Sequence, residues 1–268
     1  MRSLSMPDVV TGTVALTFRQ EAGVTLVAGQ QSTGLLRASR PVYRGTGRRP
    51  EIQLIHLGPG SMNGDGYAQR ITLHEQAEAV VGFQSYTKVL PGMAGSSQQT
   101  DITLGASSRL TMKPNVVLPY PDAVYTAHTD VQLGLGAIAS ISEILVGGQT
   151  PDVESLAFEK LSSTLQVFRG DKLILRDAIQ AGRRSLGRGR IWADGFPVLG
   201  SVYLIGDFPE QLEQNLREHG AALQSAEVRV GVSYLADAGF VLRILGTRIQ
   251  LVERVIERAY GVIDPYKG

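Results

Sequence analysis

The sequence predicts a mainly β fold: a layered, irregular β-helix-like sheet structure with a few helices, chiefly C-terminal. Three observations carry this expectation. From residue 11 to about 178, short alternating apolar and polar runs are broken by Gly, Pro, Asn and Asp, as strands joined by tight turns require. Three segments resemble one another, ITLHEQAEAVV from Ile71, ITLGASSRLTM from Ile102 and VQLGLGAIASI from Val131. Their starts lie about 30 residues apart, a period that suggests stacked strand–turn–strand layers. After residue 180 the alternation gives way to helical periodicity in two places. The alternative reading of the repeats is a sandwich whose hairpins merely share turn chemistry.

Taken in order, the clearest strands are Thr13 to Phe18, Glu51 to Leu57, Arg70 to His74 and Val124 to Leu133. In the last of these, Tyr125, Ala127, Thr129 and Val131 share one face, and Thr126, His128, Asp130 and Gln132 the other. Half of that strand is therefore expected to meet solvent or a polar interior, with His128 a hydrogen-bonding group rather than a metal ligand. Ala181 to Arg190 places Arg183, Arg184, Arg188 and Arg190 among glycines and reads as a basic loop. Asp207 to His219 reads as a helix with Asp207 as N-cap and Gly220 as its stop. Thr247 to Tyr260 reads as a second helix: Thr247 and Gln250 suit a capping box, Ile249, Val252, Val255, Ile256 and Ala259 form its apolar stripe, and Gly261 ends it. The whole chain, 1–268, is read as one domain, β-rich over 11–178 and mixed over 179–268.

The composition removes several classes of function. Hydrophobic residues make up 43% of 268 and charged residues 19%, enough to bury a sizeable core. The formal net charge of +1 supplies no general field for nucleic acid or an anionic membrane. No long uncharged apolar run is present, so no membrane span or signal peptide is expected, and the cytoplasm is the expected location. The absence of cysteine excludes disulfides, thiolate metal sites and a cysteine nucleophile. His56, His74, His128 and His219 are scattered without a ligand-pair spacing, so no resident metal is expected.

The segment LGPGSMNGDGY, Leu57 to Tyr67, invites comparison with a phosphate loop, but it lacks G-K-[ST] and no helix follows it. Asn63-Gly64 and Asp65-Gly66 are instead strong turn dipeptides that present the Asp65 carboxylate on sharply bent backbone. No nucleophile elbow or catalytic base stands out, so no catalytic residue is assigned. Asp65 and Glu154 remain an alternative carboxylate pair for a β-rich hydrolase. The arginines of 183–190 are the alternative for nucleic acid, though no aromatic residues are interleaved with them.

The run GVTLVAG, RPVYRG, LGPGSMNGDGY, FQSYTKVL, LTMKPNVVLPYPDAVY, FEKLSSTLQVF and GFVLRILGTRIQLVERVIERAY resembles, over nearly the whole chain and in order, the UreD family of urease accessory proteins, called UreH in some bacteria. Gly60, Gly64 and Asp65 match the family's glycine-rich segment ending in Gly-Asp, with Pro59 in place of its second glycine. Gln84, Thr87 and Lys88 match a Thr-Gln-x-x-x-Lys segment, with Phe83 in place of the threonine. Pro114, Pro119 and Ala123 match a proline-rich stretch. Glu154 aligns with a glutamate whose usual neighbours are replaced by Gln149 and Val153.

The resemblance implies a non-enzymatic maturation factor that binds the urease apoprotein and, with UreF and the GTPase UreG, helps deliver nickel. No cofactor is implied; nickel is at most in transit, through an internal water-filled passage lined by weak oxygen ligands. Asp65 and Glu154 are the expected polar groups of that passage, Gly60 and Gly64 shape its backbone, Gln84 belongs to the same motif, and Lys88 is expected to pair with a carboxylate. A subunit that assembles with others is also expected to expose an apolar patch and to be poorly soluble alone.

Overall fold

The computed structural model describes residues 10–45, 47–147, 156–183 and 193–263. In chain order its elements are β1 (Gly12–Glu21), β2 (Val24–Gly34), β3 (Leu36–Ala38), β4 (Val42–Tyr43), β5 (Pro50–His56), β6 (Gly66–Leu73), β7 (Glu78–Gln84) and β8 (Thr87–Val89). There follow β9 (Ser96–Leu104), β10 (Arg109–Pro119), β11 (Val124–Leu133), β12 (Ile138–Val146), β13 (Lys160–Arg169) and β14 (Lys172–Ala181). The C-terminal part holds β15 (Val198–Ile205), α1 (Glu210–Ala222), β16 (Val228–Leu235), β17 (Gly239–Gly246) and α2 (Ile249–Ile263).

Two sheets face each other, one ordered β14-β13-β11-β9-β6-β1-β2 and the other β16-β17-β15-β12-β10-β7-β5-β3. From β5 to β13 the chain passes back and forth between them, β7 and the short β8 both lying in the second sheet, and β7, β9, β10, β11, β12 and β13 each pair in parallel with the strand one coil earlier in their own sheet. This is the layered β-helix-like stack, and it follows the sequence repeats: Ile71 pairs with Ile102 and Ile102 with Val131. All three are essentially inaccessible, so the repeated branched residue is the core rung of each layer.

The turns after these rungs stack as well. Ala77, Ser108 and Ala137 each donate a backbone N–H to the carbonyl three residues earlier, at 3.1, 3.2 and 3.1 Å. Gly105 and Gly134 then donate to Leu73 and Leu104 of the preceding layer, both at 2.8 Å. Each turn therefore satisfies its own backbone and that of its neighbour. Antiparallel hairpins close the stack: β13 with β14 in one sheet, and β15, β17 and β16 in the other.

Both helices lie where helical periodicity appears, but their ends differ from expectation. α1 begins at Glu210 behind Pro209, with no side-chain cap. Asp207, the expected cap, sits three residues before the first helical residue and pairs with Arg169 at 3.2 Å. Gly220 is inside α1, packed against Val230, rather than at its stop. α2 begins at Ile249 and runs through Gly261 to Ile263. The Thr247 hydroxyl donates to Glu227 at 3.3 Å, so it is engaged across the fold and not in a capping box. The expected stripe does turn inward: Val252, Val255, Ile256 and Ala259 are buried against the outer face of the second sheet with Val202, Leu242 and Ile244.

The basic loop falls mostly outside the described residues, Arg184, Arg188 and Arg190 among them. Arg183 is described, and it clips Asp122 at 2.6 Å and the Ala157 carbonyl at 2.7 Å. Among the described residues no helix is long and apolar enough to cross a membrane.

Candidate functional site

The space between the sheets is not uniformly apolar. One cluster gathers around Leu16, Ile71, Ile102 and Leu54, another around Val117, Tyr125, Phe158 and Leu161, and a polar belt lies between them. Register builds the belt. In the first sheet Tyr67, Gln98, Ala127 and Ser163 are lateral neighbours, and so are Gln69, Thr100, Thr129 and Leu165, with Asp177 next to Leu165. In the second sheet Asn115, Glu143, Ser201 and Arg243 are lateral neighbours, brought into line by a bulge between Met112 and Asn115. Because strand side chains alternate, one polar residue at the inward parity of several consecutive strands makes a continuous polar track.

Along this belt runs a cavity of about 50 Å³, lined by Gln98, Thr100, Asn115, Tyr125, Thr129, Glu143, Ser163 and Tyr203 among others. A single water needs roughly 10–15 Å³ on this measure, so the space suits a few waters. Its walls offer them partners. The Tyr125 hydroxyl, in a side chain 1% exposed, and the Gln98 carbonyl oxygen have no partner among the described residues. Buried polar groups of this kind are ordinarily satisfied, and a polar, roomy cavity satisfies them by water.

The belt's charge is concentrated at one end. Glu143 accepts from the Ser163 hydroxyl at 2.7 Å, and the Tyr203 hydroxyl oxygen stands 3.4 Å from it. Tyr203 donates to Asp177, and Arg243 donates to Asp177, Ser201 and Tyr203. Removal from water raises the Glu143 carboxyl above its ordinary range; the Ser163 bond and Arg243 oppose this, and Asp177 adds to it. Burial likewise raises the Tyr203 and Tyr125 phenols, so both are neutral donors. The arrangement sets hard oxygens among the apolar walls of a small cavity, Phe83, Met112, Val117, Ile141 and Leu145 among them, without a positioned nucleophile.

Of the residues singled out from sequence, Asp65 meets the belt through Tyr67, and Gly60 and the Lys88 backbone stand beside Thr87, which meets it through Asn115. Asp65 closes the turn that Asn63-Gly64 begins: its carboxylate accepts from the Met62 N–H at 2.7 Å, the Tyr67 hydroxyl at 3.0 Å and the Thr11 hydroxyl at 2.9 Å. It thereby fastens the start of β1 to the first layer and aims Tyr67 inward. The Tyr67 ring meets His56 edge-on at 4.6 Å, and burial pushes that imidazole's pKa down although Asp65 favours its charge.

Gly60 packs against β8: the Ser61 N–H donates to the Lys88 carbonyl at 2.7 Å and the Leu90 N–H to the Ser61 carbonyl at 2.9 Å. The Lys88 ammonium is exposed and has no carboxylate partner among the described residues; its backbone carbonyl is what holds this wall. Beside it, the Thr87 hydroxyl donates to the Asn115 side chain at 2.8 Å and so reaches the belt. Gln84 is exposed at the end of β7, away from the cavity. Glu154 lies outside the described residues.

Replacing Asp65 by Ala removes three hydrogen bonds to a carboxylate, one of them holding a turn. We expect a loss of about 2–4 kcal/mol, seen as a lower urea midpoint with an unchanged slope. Asp65→Asn, which keeps an acceptor, is expected to lose less.

The belt residues Glu143, Asp177, Tyr203 and Arg243 were not apparent from sequence. A signal was present, a lone charged residue at inward parity in the apolar strands ISEILV and VLRIL. Among the described residues no group of three or more His, Asp or Glu side chains is placed to hold a metal ion.

A family model described as UreD urease accessory protein matches residues 10–267. Curated relatives carrying the name Urease accessory protein UreD are 27% identical over 253 residues in Bacillus sp. strain TB-90, covering 94% of this chain and 93% of the relative. In Corynebacterium glutamicum the identity is 28% over 244 residues, covering 87% and 83%. In Acetivibrio thermocellus it is 26% over 245 residues, covering 90% and 92%.

Proposed function

The chain belongs to the UreD family of urease accessory proteins, and from that premise we propose that it acts without catalysis, binding the urease apoprotein and, with UreF and UreG, assisting nickel insertion through the interior belt. The observation that carries the reading is a small cavity with oxygen-bearing side chains among its walls, set between two apolar clusters, where a purely structural stack would close its core. Neutral hydroxyls, amides and one or two carboxylates bind a divalent cation weakly, and weak binding is what transit requires. Asp65, Gly60, Gly64 and the Lys88 carbonyl act in this reading as the frame that fixes the belt's first wall. Gln84 is left to the surface, and Glu154 is retained as a polar candidate. The corner beside that wall is apolar toward solvent, with Leu35, Leu57, Met62 and Met93 all exposed, which suits a subunit that works in a complex.

The test is co-expression of the tagged chain with the cognate urease subunits, UreF and UreG, followed by size exclusion and nickel analysis of the urease. Retention of urease and UreF, with urease nickel falling at least about 10-fold when the chain is omitted, is the expected result. A monomer that retains neither partner would overturn the reading.

A further inference from the structure

The polar belt ends at a cation. Arg243 on β17 is the lateral neighbour of Ser201, which neighbours Glu143, so its guanidinium stands in the same inward row as the carboxylate. It donates to Asp177 across the gap between the sheets, and to Ser201 and Tyr203 beside it, and lies 5.3 Å from the centroid of the Tyr203 ring. The side chains of Arg243 and Asp177 are 32% and 22% exposed, so the pair is reached by solvent on one side and meets Tyr203, a wall residue of the cavity, on the other. Both act electrostatically on Glu143, Arg243 favouring its anion and Asp177 opposing it.

This arrangement has a chemical consequence. While the guanidinium is in place, Asp177 is matched and a second cation approaching Tyr203 meets a fixed positive charge. With the guanidinium withdrawn, the Asp177 carboxylate, the Tyr203 hydroxyl it shares with Glu143, and the Glu143 carboxylate face one space with no countercharge. The unpartnered Tyr125 hydroxyl lines the cavity that Glu143 and Tyr203 also line, a sign independent of Arg243 that this cavity receives a polar guest. Hard oxygens in that number suit a divalent ion that keeps part of its water.

We propose that Arg243 is a displaceable plug: its guanidinium occupies the place beside Asp177 and Tyr203 that a divalent cation takes, and withdrawing it opens the belt. The proposal rests on the transit reading above. An arginine can serve this way because its long side chain moves by rotamer change alone, without disturbing β17.

The experiment is titration of the isolated full chain with Ni²⁺, followed by calorimetry, for wild type, Arg243→Gln, Arg243→Lys and Arg243→Gln with Asp177→Asn. Arg243→Gln is expected to gain one site per chain, at least about 10-fold tighter than any site of the wild type. Arg243→Lys restores the wild-type behaviour because it restores the charge, and adding Asp177→Asn removes the gain. Should Arg243→Gln fail to fold in metal-free buffer, its recovery by Ni²⁺ supports the plug and a failure to recover counts against it. Binding by Arg243→Gln no tighter than wild type overturns the plug whether or not nickel passes through the belt. The transit reading fails separately, if loss of the Glu143 charge leaves nickel delivery intact.

Discussion

Glu143→Gln is expected to lower nickel delivery to urease at least 10-fold while leaving the chain folded and, at neutral pH, more stable than wild type. The two halves of this result have one cause. Glu143 is an interior carboxyl raised chiefly by loss of hydration, so the fold favours its neutral form. In the window upward from the ordinary value of 4.5, the folded chain then binds more protons at this position than the unfolded chain. Stability from this group is therefore greatest below that value and falls as pH rises through the window. Gln cannot ionise, so the variant loses that slope: its Tm should exceed that of wild type near about pH 8 and match it near about pH 4.

The amide keeps the geometry. Its oxygen still accepts from Ser163, and its NH₂ meets the Tyr203 oxygen, so no buried group is orphaned. What disappears is a carboxyl group facing the cavity that can release its proton to hold a passing divalent cation, which an amide cannot do. Thermal melts against pH and nickel analysis of urease matured with the variant check the two halves. Full nickel loading would remove Glu143 from the proposed route.

The stack was legible because its information is local and repeated. Ile71, Ile102 and Val131 announce the same rung in three layers, and the pairing joins those residues to one another. Val124–Leu133 has the limits read from its alternation, and His128 lies beside Asp130 at 3.2 Å on the half-exposed outer face. The polar interior, however, is on the other face of that strand, the one that carries Tyr125, Ala127 and Thr129. Asp65 was legible because a carboxylate after Asn-Gly advertises a turn.

The belt was not legible, because Ser163, Asp177, Tyr203 and Arg243 reach Glu143 from four strands far apart in the chain, and no spacing links them. The helix ends were missed for a related reason. Asp207 and Thr247 are good local caps, but Arg169 at the end of β13 and Glu227 just before β16 compete for them from afar in the chain.

Gly60→Ala is expected to cost about 3 kcal/mol or more, and Gly64→Ala, four residues on, only about 1–2 kcal/mol. Both glycines have positive φ, +154° and +85°, so any side chain there strains the backbone. The difference is space. A Cβ on Gly64 meets nothing within 4 Å, whereas one on Gly60 stands 2.6 Å from the Lys88 carbonyl oxygen. That oxygen is backbone and cannot rotate aside, so β8 itself must move. Its movement breaks the Ser61 to Lys88 bond and draws Thr87 away from Asn115, loosening the belt at its first wall. Against a total stability of about 5–15 kcal/mol for a typical domain, Gly60→Ala alone is enough to reduce the yield of folded chain. Gly64→Asn should recover most of the Gly64→Ala loss, since Asn tolerates left-handed backbone, while no side chain rescues position 60. Urea midpoints of the three variants give the order, and equal losses at 60 and 64 would mean that β8 yields to the added carbon without cost.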